Sequence, residues 1–229
     1  MKQGKLARRA RHRTGSKASA ERRPHKASTP PANDDLPLRS WPGTLEDLEA
    51  LGDDARVELI RGVLYERPIS SFGHGHVVSQ LIGTLVAPYV LGKGGPGGWA
   101  ISHVDWIVGQ EVLRPDLSGW RRSRLRNQDP KARASIAPDW ILEVLSPSTR
   151  AHDLGTKREA YARLGVRYRW YVQPATMVLQ TFELRRGQWI EAGVFTDDDV
   201  VRAEPFPVAR IPMATWWPAT SNRAPSNQP

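Results

Sequence analysis

Between Pro138 and Pro147 the chain reads Pro-Asp-Trp-Ile-Leu-Glu-Val-Leu-Ser-Pro. Trp140 to Leu145 is almost wholly apolar and bounded by prolines, which is the pattern of a short strand buried on both faces of a sheet. Glu143 interrupts it. An ionised carboxylate in such a place costs on the order of several kcal/mol unless a cation or hydrogen-bond donors meet it. Two readings are open: an ion pair with one of the many arginines, or a metal ligand. The choice depends on what else the chain brings to the same place.

The surrounding pattern alternates helices and strands. Thr44 with Asp47 reads as a helix N-cap, followed by a short stripe of Leu45, Leu48 and Leu51. Arg56–Ile60 and Val63–Glu66 predict two strands turning at Arg61-Gly62. Apolar residues at helical spacing from Val77 to Tyr89 predict a helix over about 74–89. Ala100–Val108 and Val112–Trp120 read as a strand pair turning at Gly109-Gln110. A helix over about 153–164 follows the central strand. Further strands are expected at 168–172, 178–184, 188–195 and 208–211. This order predicts a mixed α/β (α+β) domain with a central sheet flanked by helices and additional antiparallel strands at the C-terminal end.

Two more polar residues can be placed near Glu143. Asp116 lies in Arg114-Pro115-Asp116-Leu117, on what should be a neighbouring strand, sharing a face with Val112, Arg114 and Ser118. On the following helix Leu154, Lys157, Tyr161 and Leu164 are spaced as one stripe, which turns Lys157 inward at the rim of the sheet. Taken alone, Lys157 could equally extend to solvent or pair with Asp153 at i, i+4. Arg121 to Arg133 holds six basic residues opposed by Asp129 alone, and reads as an exposed loop between the two acidic strands in sequence. His74 and His76 open a helix and read as structural or capping residues.

The matching text is Val57-Glu58-Leu59-Ile60-Arg61-Gly62, His74-Gly75, Arg114-Pro115-Asp116-Leu117 and Ala137-Pro138-Asp139-Trp140. It continues through Glu143-Val144-Leu145-Ser146-Pro147-Ser148-Thr149, Asp153, Lys157, Tyr161 and Gly165-Val166 with Trp170. It resembles the Uma-two family, a bacterial branch of the PD-(D/E)XK nuclease superfamily with a restriction-endonuclease-like fold, over about residues 36–217. The resemblance implies a metal-dependent endonuclease acting on phosphodiester bonds, most plainly of DNA. Asp116 and Glu143 would be ligands of Mg²⁺ (or Mn²⁺), Lys157 the catalytic lysine and Glu58 an accessory carboxylate. Arg121, Arg122, Arg124 and Arg126 would contact the nucleic-acid backbone. The alternative is a catalytically inactive nucleic-acid-binding or interaction protein that keeps the fold. Two departures stand out. The superfamily's lysine position, two residues after the second acid, is Leu145 here, and the lysine moves to the next helix. Tyr168-Arg169-Trp170 and Gln173-Pro174 replace acidic residues, which reads as a surface or stability difference.

Composition closes off other classes. The 229 residues contain no cysteine, which excludes disulfides, thiolate zinc sites and thiol nucleophiles and suits a reducing, cytoplasmic setting. No apolar run approaches a membrane span, so the expected partner is nucleic acid rather than a membrane, and a homodimer is left open. The net charge of +9 is concentrated in residues 1–35, where ten basic residues face three acidic ones; the remainder has 23 against 21. That segment lacks core-forming residues and is expected to be a disordered basic tail, with a domain over 36–218 and a polar C-terminal tail over 219–229. Deleting residues 1–35 is therefore expected to leave the melting temperature unchanged while flattening the salt dependence of DNA affinity. A lowered melting temperature would show the segment to be docked.

Overall fold

In the computed structural model the described residues are 38–52, 54–129 and 131–217, so the expected tails over 1–35 and 219–229 lie outside them. The chain opens with β1 (Ser40–Pro42), α1 (Leu45–Ala50), β2 (Val57–Ile60) and β3 (Val63–Glu66). The capping box of Thr44 and Asp47 is formed in full. Helix α2 (Phe72–Leu85) runs on into a π turn at Val86–Val90, and Leu81, Leu85 and Tyr89 are buried on one side.

The two strands expected over 100–108 and 112–120 are four. They are β4 (Trp99–Ser102), β5 (Trp106–Val108), β6 (Glu111–Leu113) and β7 (Leu117–Arg121). The turn at Gly109-Gln110 joins β5 to β6 as expected, but each long run breaks and passes from one sheet to another. Pro115 lies in the second break, where it has no N–H to give a ladder. The central strand β8 (Trp140–Val144) is buried at every residue, as its apolar run requires.

After β8 come α3 (Arg150–His152), a π turn at Asp153–Lys157 and α4 (Arg158–Arg163). The remaining strands are β9 (Tyr168–Gln173), β10 (Val178–Arg185), β11 (Gln188–Thr196), β12 (Val200–Val201) and β13 (Ile211–Pro212). One sheet has the order β1-β3-β2-β6-β5 and the other β11-β10-β9-β8-β7-β4, with β12-β13 as a small pair. Strands β8 and β9 are parallel, as α3 and α4 cross over between them. This is a mixed α+β architecture with central sheets and few helices. Among the described residues no helix is long and apolar enough to cross a membrane.

The two faces of β8 serve different purposes. Trp140, Leu142 and Val144 pack with α2 and with Trp99, Trp170 and Phe206 in the larger core. Ile141 faces the other way, toward Trp106 and Tyr161 and the five-stranded sheet, and Glu143 shares that face. Gly119, paired with Trp140, sits where a Cβ would come 3.0 Å from one Trp140 ring atom and 3.4 Å from Trp99. Gly119→Val should therefore overpack this face and cost about 2 kcal/mol in a urea melt; an unchanged midpoint would show that the tryptophans can yield.

Candidate active site

The break between β6 and β7 is held by site side chains in place of a ladder. Arg114 N donates to Glu58 Oε1 (2.7 Å), and the Arg114 carbonyl accepts from Lys157 Nζ (3.3 Å). Asp116 N points at Glu143 Oε2 (3.4 Å), and the Asp116 carbonyl accepts from His103 Nδ1 (2.7 Å). The β7–β8 register, Leu117 opposite Leu142, carries forward to set Asp116 opposite Glu143.

Lys157 is at the centre. Its ammonium lies 2.7 Å from Glu143 Oε1, 3.2 Å from Glu58 Oε1 and 3.6 Å from Asp153 Oδ1, and the residue is 1% exposed. The π turn explains the inward pair Asp153 and Lys157. One extra residue in the turn rephases the helix, so Asp153 is buried where the regular stripe would place Leu154. Tyr161, one turn on, donates its hydroxyl to Glu143 Oε1. Lys157 thus reaches the site and also pairs with Asp153, while burial rules out the reading in which it extends to solvent.

Asp116 is met from the opposite side. Its Oδ1 lies 3.0 Å from Arg67 Nη2 and 3.1 Å from His74 Nε2, and its Oδ2 accepts from Val144 N at 2.7 Å. Arg67 follows β3, and His74 sits in the first turn of α2. His152 Nε2 lies 3.2 Å from Glu58 Oε2. Asp116, Glu143, Glu58 and Lys157 therefore form one cluster, joined by Asp153, Arg67, His74, His152 and Tyr161. Tyr161 stands in the matching text without an assigned role, and His74, read as a structural or capping residue, has its ring against Asp116. No sequence pattern marks Arg67 or His152, which reach the site through tertiary packing.

The acids differ in electrostatics. Burial acts most strongly on Glu58, but Lys157, His152 and Arg67 outweigh it and hold that carboxyl well below the usual range. Asp116 is likewise lowered, because His74 and Arg67 with more distant Lys157 overcome its burial. Glu143 moves the other way. Burial, with Asp153, Asp116 and Glu58 nearby, outweighs Lys157 and raises it to about 8. Asp153 is also raised, chiefly by burial. Four carboxyl groups, from Glu58, Asp116, Glu143 and Asp153, thus gather around two fixed cations, Lys157 and Arg67.

The four arginines expected at the nucleic acid are exposed, and three of them also make contacts within the protein. Arg121 ends β7, about 17 Å along the strand from Asp116 at ~3.3 Å per residue. Its guanidinium stacks 4.2 Å from the Trp99 ring centre, Arg122 donates to the Trp99 and Val90 carbonyls, and Arg124 pairs with Asp139. Arg126 is exposed. Arg169, read as part of a surface or stability difference, is 1% exposed and packed among Tyr171, Phe182 and Trp189, so it is a core residue.

Residues 42–214 match the family described as "Uma2: Putative restriction endonuclease". The chain belongs to this family. Its fold is that of the crystal structure titled as a "putative nuclease belonging to DUF820" from Anabaena variabilis, at 19% identity and a TM-score of 0.60. That match covers 77% of this chain and 98% of the other. No protein of curated function matches. Family membership and fold make this a nuclease-type domain of the restriction-endonuclease-like class. The Uma2 cluster keeps its lysine on the helix, while the buried Leu145 occupies the superfamily's usual position.

The unequal surroundings give the two amide substitutions opposite effects on stability. Glu143, raised above its unfolded value of 4.5, lowers stability as pH rises from about 4.5 through 8. Metal-free Glu143→Gln should melt at or above wild type, with a gap that widens over that window; the part due to Asp153 remains. Asp116→Asn removes a favourably held carboxylate and should cost about 2 kcal/mol at neutral pH. Lys157→Ala strands Glu58 and should cost about 3–5 kcal/mol. Equal melting of the two amide variants across pH 5–9 would refute the asymmetry.

Proposed function

We propose that the Asp116–Glu143–Lys157 cluster hydrolyses phosphodiester bonds, with DNA as the substrate and Mg²⁺ or Mn²⁺ as the cofactor. The observation that carries this reading is Lys157 lodged between Glu58 and Glu143, with Asp116 alongside, in a buried cluster that holds more carboxyl groups than fixed cations. Carboxylate oxygens are the donors that a hard divalent ion favours. Among the described residues no three His, Asp or Glu side chains gather as a ready ion cage. Mg²⁺ commonly rests on one or two carboxylates and fills its shell with water and phosphate, so the pair fits. Glu143 Oε2, with only the long contact to Asp116 N, and Asp116 Oδ1, on the Arg67 side, are the oxygens that would hold it. When bound, it supplies Lewis acidity at the phosphate and a water of lowered pKa.

The remaining work falls to the chain's own residues. Lys157 and Tyr161 both take Glu143 Oε1, which fixes the carboxylate and leaves Oε2 turned toward Asp116. Lys157 also brings a permanent cation to where phosphate charge builds. Glu58 and Asp153 hold the ammonium in place and are positioning residues. His74 orients Asp116, and Arg67 lines the small mouth above it, where a guanidinium suits a phosphate oxygen. Arg126 and the basic N-terminal segment would add backbone affinity without reading sequence.

One observation favours the rival, a binding protein without catalysis. Both oxygens of Asp116 already have protein partners, as a structural ion network would require. Metal titration separates the two. For the nuclease, Mg²⁺ or Mn²⁺ should raise the melting temperature and support cleavage of DNA that EDTA abolishes. Glu143→Gln and Asp116→Asn should lower cleavage by at least ~100-fold. A wild-type protein that binds DNA but shows neither a metal-dependent shift nor cleavage is the binding protein.

A further inference from the structure

The stretch from the end of β3 into the first turn of α2 supplies Arg67 and His74 to Asp116, and between those two residues it carries Ile69 and Phe72. These are 84% and 83% exposed, while among the described residues no other large apolar residue passes 59%. A single exposed apolar side chain is ordinary. Here two lie within four positions, on the segment that also grips a site carboxylate. Phe72, at the first position of α2 after the Ser71 cap, has the His76 ring stacked at 6.1 Å. Its ring is left largely to solvent, and no fold requirement explains it.

The mouth beside Ile69 is small and polar, and Ser71, the residue before Phe72, also lines it. A cavity of about 120 Å³ is lined by Arg67, Ile69, His74, Ser146, Ser148 and Thr149 among others. Hydroxyls and a guanidinium suit a phosphate and its sugar. The space is too small to take a nucleobase as well, so a base attached to that phosphate must lie outside, at the apolar rim. In an intact duplex the base faces are stacked on one another and closed to a side chain. An unpaired base has its face free.

We infer that Ile69 and Phe72 form a stacking rim that holds an unpaired nucleobase beside the scissile phosphate, which makes single-stranded or splayed nucleic acid the preferred substrate. This rests on the phosphodiesterase reading and adds the substrate form and the residues that select it. Stacking on an aromatic ring tolerates any base, so the rim selects for lack of pairing and not for sequence.

The test uses the full chain carrying Glu143→Gln, with Mg²⁺, and a short single-stranded DNA containing 2-aminopurine, alongside the same DNA as a duplex. Binding should quench the 2-aminopurine. Adding Phe72→Ala should abolish the quench and weaken single-strand binding about ten-fold, the range of one base–aromatic stack. Phe72→Trp should keep both, Ile69→Ala should weaken binding less, and duplex affinity should stay within about two-fold. Because both side chains are exposed, these variants should melt with their parent. Unchanged quench and affinity in the Phe72→Ala, Ile69→Ala double variant would overturn the rim while leaving cleavage by the wild type intact. A dimer in sedimentation that Phe72→Ala disperses would make the patch a contact between copies and also overturn it. If the wild type neither binds nor cleaves any nucleic acid, the phosphodiesterase reading has failed first.

Discussion

The contact on which the rest depends is the ammonium of Lys157 against Glu58 and Glu143. Glu58 belongs to the five-stranded sheet, Glu143 to the six-stranded sheet and Lys157 to the helical crossover. One buried cation therefore ties three layers at a single point. Such a group adds little net stability, because desolvating the charges offsets most of their attraction. What it supplies is position. Apolar contacts of Ile60, Trp106, Ile141 and Tyr161 hold the layers together without direction, and layers so packed could slide. The ion contacts allow one register, which also sets Asp116 opposite Glu143.

Much of this was legible in the sequence because burial and charge conflict there. Glu143 stands out in its apolar run, and its strand is buried throughout. The inward turn of Lys157 followed from a helical stripe. That stripe placed Leu154 inward, however, and a π turn put Asp153 there instead. A π turn leaves no regular signature in spacing, so this shift was hidden. The strand breaks at 103–105 and 114–116 were hidden for a related reason. Both flanks of each break are apolar and strand-like, and only the ladder shows that they join different sheets. Arg67 and His152 were out of reach because ordinary polar residues gain meaning only from what they touch. The charges of the basic stretch are obvious in the sequence, but the contacts of Arg121, Arg122 and Arg124 with Trp99, Val90 and Asp139 are not.

The break at Arg114-Pro115-Asp116 shows how a fold defect becomes a site. A strand that changes sheets frees backbone groups from its ladder, and buried backbone groups must find partners. Proline reduces the demand by one N–H. The others are met by Glu58, Lys157, Glu143 and His103. The side chains that serve the backbone are thus the ones gathered around Asp116. Structural need and chemical potential fall on the same residues.

A second polar link supports this account of the register. Glu111, on β6 beside β2, accepts from Arg163 Nη2 at 2.7 and 2.8 Å and from the Arg61 backbone at 2.9 Å. Arg163 closes α4, about nine Å of helix beyond Lys157 at ~1.5 Å per residue. The crossover is therefore pinned to the five-stranded sheet twice, once by a buried lysine and once by a half-exposed arginine. The outer pair is wetter and contributes less energy, but it removes the rotation that a single pivot at Lys157 would allow. Placing the ammonium within hydrogen-bond range of two carboxylates from different sheets requires both points. The geometry of the site is in this sense a property of the crossover as a whole, and not of Asp116, Glu143 and Lys157 alone.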